Sequence, residues 1–561
     1  MILEILNNIF KSVLKDLSLD TSSSVIKSNR PELCDYQFDG VFNIARINHE
    51  NPITIGEKIT NKINQLPDFN EYFKTVEFVK PGFINIIISD KLINKLVLKV
   101  NTEENLGMKK PEKIETYFLD YGGPNIAKPL HVGHLRPAII GESIKRIINF
   151  IGHKTISDVH FGDFGLQMGQ VIYGMQQKNI TYENVTLEDL NEIYPEMSKL
   201  CKEDEKVKEI CTEITKKMQD GDPLYEKYYN KIYELSSNDI KRIYSYLGVD
   251  FDLWYSEMSS RKYIPLVEKE LKEKNISYIS DGALVVDVKG ENDSKELPPL
   301  IFKKSNGAYL YGSTDMATIY EREQDYQPDY ILYVADARQS LHFKQVFRAS
   351  LKAEITDANM EHLAFGTING TDGKPYKTRS GETPKLTELF KEVKEIFISK
   401  KEENQNMKEE DINKIVNAII KFADLQNNRE KDYIFDIAKF SNVVGKTGPY
   451  VLYTYVRTNK MINTSGQLND TIYNEFDRNL RKKIIEFDLS VEKAFKDRMP
   501  HHIADYIYDL CLTMNAFYQN NYIKNELDEN KKDSWIYILN TANKILKELL
   551  YLLMIDIPTV M

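Results

Sequence analysis

Apolar residues recur at three- and four-residue spacing through residues 1–19, with Glu4, Lys11, Lys15 and Asp16 between them, and predict an amphipathic first helix. The pattern then changes period. A strand is predicted at 41–45, a helix at 53–63 and a strand at 83–88, the last entered through the turn pair Pro81-Gly82. Residues 1–110 therefore read as a small α+β unit. From 111 to 390 strand-like and helix-like runs alternate, which predicts a parallel sheet with crossover helices. Within it, 114–120 reads as a buried strand, Gly122, Gly123 and Pro124 stop it, and 135–150 carries helical periodicity. A charged, helical stretch at 173–240 reads as an insertion into the sheet. Residues 391–412, dense in Lys, Glu, Asp and Asn, read as a linker or solvated helix. From 413 to 561 the spacing is almost wholly helical, which predicts a bundle. No solenoid-length repeat or low-complexity tract is found.

Length and charge narrow the class. A chain of 561 residues exceeds what one hydrophobic core serves. The net charge of -10 argues against a general nucleic-acid coat and leaves room for a local basic surface. Cys34, Cys201, Cys211 and Cys511 form no Cys-x-x-Cys pair, so neither a zinc knuckle nor a disulfide framework is expected, and a reducing cytoplasm fits. The first residues lack the basic start and continuous apolar run of a signal peptide, and no run approaches the length of a membrane span.

The densest candidate chemistry is Pro124-Asn125-Ile126-Ala127-Lys128-Pro129-Leu130-His131-Val132-Gly133-His134-Leu135-Arg136, at the predicted strand-turn-helix junction. His131 and His134 are spaced to share a helix face, Gly133 admits a ligand close to the backbone, and a helix N-terminus attracts phosphate. The arrangement suits ATP. Two solvent-facing histidines at a helix start are the plainer alternative.

Two further clusters join it. His160-Phe161-Gly162-Asp163-Phe164-Gly165-Leu166-Gln167-Met168-Gly169 sets three glycines beside Asp163 and Gln167, a pattern for close backbone approach or for a structural turn. In 308–317, Tyr309, Tyr311 and Ser313 are predicted to share one face of a strand, with Asp315 near its end. A second strand at 330–334 ends in Asp336-Ala337-Arg338-Gln339. In an α/β sheet ligands bind at such strand ends. A carboxylate, a tyrosine hydroxyl and an amide together suit a guanidinium; strand-end polar capping is the alternative.

His131-Val132-Gly133-His134 resembles the His-x-Gly-His signature of class I aminoacyl-tRNA synthetases. Asp120-Tyr121-Gly122-Gly123-Pro124-Asn125, Tyr311 with Asp315, Asp336-Ala337-Arg338-Gln339 and Thr378-Arg379-Ser380-Gly381 extend the resemblance, in register, to arginyl-tRNA synthetases along essentially the whole chain. The resemblance implies a class I Rossmann-like catalytic domain at 111–390, an N-terminal additional domain at 1–110 that touches the tRNA corner, and an all-α anticodon-binding bundle at 413–561. It implies L-arginine, ATP with Mg²⁺ and tRNA-Arg as partners, no zinc or other resident metal, and a monomer. It further implies that activation needs bound tRNA. By the same resemblance Asp120, Asn125, Tyr311, Asp315 and Gln339 contact arginine, and His131, Gly133, His134, Asp163 and Gln167 contact ATP. Tyr450, Tyr453 and Met561 then address tRNA; core tyrosines and a frayed terminus remain open readings.

The chain departs from the class at the Lys-Met-Ser-Lys-Ser loop, where Lys374-Pro375-Tyr376-Lys377-Thr378-Arg379-Ser380-Gly381 stands instead. In the family a lysine just before the histidine signature, here Lys128, supplies the missing charge. Which of Lys128, Lys374, Lys377 and Arg379 reaches the phosphates stays open at this level. The rivals are another class I synthetase of cysteinyl, glutamyl or glutaminyl type, and a synthetase-like RNA-binding protein without catalysis.

Overall fold

The computed structural model describes every residue except 291, 292, 294–296, 378–383, 401–406, 461 and 463. At the N-terminus β1 (Val25–Lys27), β2 (Tyr36–Phe38), β3 (Phe73–Val79) and β4 (Phe83–Ile88) form an antiparallel sheet of order β1-β2-β4-β3. The helices Ile2–Asp16, Val41–Asn48, Pro52–Asn64 and Asp90–Thr102 accompany it. Residues 41–45, expected as a strand, are the start of the helix Val41–Asn48. Val41, Phe42 and Ile44 favour strand by composition, but Val41, Ile44 and Ala45 are the buried positions, a helical spacing that packing decided.

The second sheet is β11-β10-β5-β6 in order, all parallel: β5 (Thr116–Tyr121), β6 (Lys154–Asp158), β10 (Tyr330–Val334) and β11 (Asn359–His362). Its central strands read Tyr-Phe-Leu-Asp-Tyr and Tyr-Ile-Leu-Tyr-Val because both faces are covered. A small antiparallel sheet, β7 (Ser277–Ser280), β8 (Ala283–Val286) and β9 (Leu300–Lys303), precedes β10 in the chain. Two-residue strands β12 (Ile368–Asn369) and β13 (Tyr433–Ile434) tie this domain to the helical part.

The expected strand around 309–313 is also corrected: a helix, Tyr311–Tyr326, begins there. The Ser313 hydroxyl accepts from the Leu310 amide at 3.0 Å, so the serine starts a helix instead of continuing a pleat. Tyr311 and Asp315 consequently sit four apart on one helix face.

Residues 173–240, expected as an insertion, fall on four helices, Leu166–Gln177, Leu187–Glu203, Glu205–Gln219 and Pro223–Tyr246. Helices Leu386–Ser399 and Glu409–Leu425 border 401–406, and Gly448–Asn459, Glu475–Ile484, Phe487–Asp497, His501–Asn520 and Glu529–Leu552 form the C-terminal bundle. Arg136, the second residue of the helix Leu135–Ile151, is buried against Asp424 of helix Glu409–Leu425 at 3.0 Å. Among the described residues no helix is long and apolar enough to cross a membrane.

Candidate active site

β5 and β10 are neighbours whose chains leave toward different sides, so their carboxyl ends open a crevice. The segment after β5 lines one wall. His131 caps the short 3₁₀ turn Val132–His134, which runs directly into the helix Leu135–Ile151. Its Nδ1 accepts from the Gly133 amide at 3.0 Å, and its own amide donates to His134 Nδ1 at 3.1 Å. Both Nδ1 atoms are thus acceptors, which leaves the proton of each neutral ring on Nε2. The ring centroids lie 3.9 Å apart with the planes tilted by 41°. A Cβ on Gly133 would lie 2.8 Å from the His131 ring, so glycine is required by the histidine as well as by any ligand. Burial, then His131 and Lys128, hold the His134 pKa down to about 3; burial and Lys128 also lower that of His131. Both rings are neutral at pH 7 and present N–H donors.

Two backbone hydrogen bonds clip this strand to the chain beyond the degenerate loop: Val132 N to Pro384 O at 3.1 Å and Leu386 N to Leu130 O at 3.0 Å. On its other side Ile126 N donates to Gly162 O at 2.9 Å and Gly162 N to Pro124 O at 3.1 Å, which joins the two glycine-rich segments. A Cβ on Gly162 would meet Asn125 Oδ1 at 2.2 Å.

The opposite wall is acidic. Asp120, at the end of β5, pairs with Arg322 at 2.6 Å, and Arg322 reaches Asp158 of β6 at 3.2 Å. Asp158 also holds His160 Nδ1 at 3.1 Å. Burial works against a charged His160, but the Asp158 hydrogen bond and the charges of Asp158 and Asp120 prevail and raise its pKa to about 9. Asp315 is hydrogen-bonded to His342, whose pKa is raised by that partner against the opposing effect of burial. Glu257 accepts from the Phe164 amide at 3.2 Å. Burial, followed by the negative charges of Asp163 and Asp315, pushes its pKa up to about 7. Glu257 therefore titrates within the neutral range. Tyr311, 61 % exposed at the first turn of its helix, feels Glu257, Asp315 and Tyr194, and Lys128 sits 4.6 Å over the Tyr194 ring. Tyr194 links the lysine of the histidine wall to the acidic wall.

Residues 95–437 match the model "tRNA synthetases class I (R), catalytic domain", 4–88 match "Arginyl tRNA synthetase N terminal domain", and 451–561 match "DALR anticodon binding domain". An arginine–tRNA ligase of Alkaliphilus oremlandii is 40 % identical over 561 aligned positions covering 95 % of each chain. The chain belongs to the arginyl-tRNA synthetase family. The arginyl-tRNA synthetase of Plasmodium falciparum has a similar structure, with a TM-score of 0.82 at 27 % identity over 100 % of this chain and 99 % of that one. The Thermus thermophilus enzyme shares the fold, with a TM-score of 0.81 at 19 % identity and full coverage of both.

Within this arginyl-tRNA synthetase fold the expected site residues separate into groups. His131, Gly133, His134, Asn125 and Lys128 lie on the wall after β5, and Gln167 donates to Gly162 O at 3.3 Å beside them. Asp120, Tyr311 and Asp315 lie on the acidic wall. Asp163 is fully buried, with one oxygen on Tyr229 OH at 2.6 Å and the other on the Met258 amide at 2.9 Å. Gln339 is exposed at the start of the helix Ser340–Lys352, beside the closed Asp336–Arg338 pair at 2.7 Å. Lys374 and Lys377 are exposed on the turn after β12; Thr378, Arg379, Ser380 and Gly381 lie outside the described residues. In the bundle Tyr450 OH accepts from Asn515 at 3.0 Å, Tyr453 is 40 % exposed, and Met561 is half-buried. Sequence reasoning missed Asp158, Glu257, Arg322 and His342. Each becomes recognisable only when segments distant in sequence meet.

Proposed function

We propose that this chain is an arginine–tRNA ligase that activates L-arginine with ATP to arginyl-adenylate and pyrophosphate, then transfers the arginyl group to the 3′ end of tRNA-Arg. The observation that carries the mechanism is the pair of neutral histidines whose Nδ1 atoms are both occupied by backbone amides. Their Nε2–H groups are fixed donors for the charge that builds on the α-phosphate as the arginine carboxylate attacks it and pyrophosphate leaves. Such preorganised donors stabilise a transition state without reorganising. Lys128 adds a point charge on the same wall and takes the part of the missing loop lysine, with Lys374 and Lys377 as further phosphate contacts. No covalent intermediate with the enzyme is needed, because positioning and charge suffice for phosphoryl chemistry of this kind.

The guanidinium enters the acidic wall. Asp315 and Glu257 face it as carboxylates, Tyr311 closes over it, and Asn125, Asp120 and Gln339 complete the amino-acid contacts. A cation displaces the proton on Glu257, so the pocket selects charge as well as shape. Mg²⁺ arrives on the ATP phosphates as part of that substrate. The protein works as a monomer in the cytoplasm, a compartment that fits its four free thiols. Tyr453 offers a ring to the anticodon loop, with Tyr450 and Met561 beside the same surface.

The test is ATP–pyrophosphate exchange measured with each amino acid, with and without tRNA. Arginine alone is expected to support exchange, and another amino acid doing so equally well would refute the assignment. His134→Ala is expected to lower adenylate formation by about 10²–10³-fold while leaving tRNA binding intact.

A further inference from the structure

The helical insertion does more than decorate the sheet. Hydrogen bonds tie its side chains to the loops of the site, among them Tyr229 OH donating to Asp163 at 2.6 Å, Gln219 to Phe164 O at 2.6 Å, Tyr244 OH to Gly122 O, and the Ser236 hydroxyl accepting from the Ala127 amide at 3.1 Å. One of these contacts leads on into the acidic wall. Asp163 passes its second oxygen to the Met258 amide, and Met258 follows Glu257 directly. The Glu257 amide donates to Phe161 O at 3.0 Å and its Oε2 accepts from the Phe164 amide, so the residue is held by the backbone on both sides of Asp163. Among the described residues its Oε1 makes no hydrogen bond.

We propose that Tyr229 of the insertion is a positioning residue for the guanidinium pocket, acting through Asp163 and the Met258 amide to set where Glu257 points. A carboxyl that is fully buried needs its hydrogen-bond partners, and those of Asp163 include the Tyr229 hydroxyl from the insertion and the Met258 amide from the loop that carries Glu257. Without the Tyr229 hydroxyl, Asp163 loses its charge-stabilising partner on the insertion side and its grip on the Met258 amide loosens. Tyr229 is not sealed in a core. With Glu226, Asn230, Met258 and Arg261 it lines a cavity of about 560 Å³, so removal of its hydroxyl alone leaves the packing in place. Asp163 then serves the arginine side of the site from behind instead of contacting ATP.

The inference rests on Glu257 facing the guanidinium, and the experiment separates the two. Glu257→Gln is expected to raise KM for arginine about 100-fold; an unchanged value would sink the pocket reading itself. With that established, Tyr229→Phe is expected to raise KM for arginine about tenfold with kcat, KM for ATP and melting temperature near wild type. Asp163→Asn is expected to do the same, and the double variant to be no worse than Asp163→Asn alone, because both act on one path. Additive effects, a rise in KM for ATP in Asp163→Asn, or wild-type kinetics in Tyr229→Phe would each overturn the proposal. Equal losses in every parameter, tracking a lowered melting temperature, would show a structural role only.

Discussion

Arg136 and Arg322 are 1 % and 2 % exposed, yet their surroundings differ in kind. Arg136 leaves the catalytic helix and finds all its partners in residues 365–433: Asp424, the carbonyls of Gly366 at 2.7 Å and Lys431 at 3.2 Å, and the rings of Phe365 and Tyr433. Arg322, on the helix Tyr311–Tyr326, lies against the sheet and spans Asp120 and Asp158 at two strand ends; among the described residues its Nε and Nη1 have no acceptor, as is also true of Arg136 Nη2. Asp424 is sealed at 1 % exposure, whereas the Asp120 side chain keeps 18 % toward the crevice. The first arginine is a joint between domains, and the second sets the potential of a pocket. Burial of the arginine alone does not tell them apart; the exposure of Asp120 does, since Asp158 is as sealed as Asp424.

The largest effect should come from breaking the joint. Arg136→Met strands a buried Asp424 and is expected to cost about 3–5 kcal/mol in denaturant unfolding, with Arg136→Met/Asp424→Leu recovering most of it. A neutral single variant would erase the distinction. Next, His160 belongs to the pocket network, with a folded-state pKa raised to about 9 from 6.5. Stability from this group is complete below about pH 6.5 and is lost as pH climbs through about 9, on the order of 1–3 kcal/mol. His160→Gln should flatten that slope in unfolding measured across the range.

Asp120→Asn discriminates more finely, because Arg322 keeps Asp158. We expect KM for arginine to rise about tenfold while stability changes by less than about 1 kcal/mol; the reverse pattern would make Asp120 a second joint. Smallest is the proton on Glu257. Burial, then the charges of Asp163 and Asp315, raise its pKa to about 7 against His160, and Tyr311 faces it from the helix start. KM for arginine should therefore fall by roughly ninefold as pH rises from 6 to 8, a dependence absent in Glu257→Gln.

What the sequence made legible was local. His131, Gly133 and His134 are spaced within one turn, so the motif and its geometry coincide, and strands such as Phe83–Ile88 and Tyr330–Val334 carry their burial in their composition. Val41–Asn48 and the start of Tyr311–Tyr326 were not legible, since β-branched and aromatic side chains there are placed by helix packing and by a serine cap. Asp120 was read as a pocket residue, but its partner Arg322 lies 202 positions away, and Asp163 meets Met258 across 95. No periodicity reports a pairing of that separation. The carboxylates were visible one at a time, and only the fold turned them into a wall with its own compensating cations.

The clip between Leu130–Val132 and Pro384–Leu386 gives the site a common clock. The Val132 and Leu386 amide protons are bonded across a single isolated bridge, His131 to Lys385, so they should exchange with deuterium at one shared rate although the residues lie far apart in sequence. Nucleotide bound at the histidines would slow both at once, and two peptides of the digest would then report the occupancy of one phosphate.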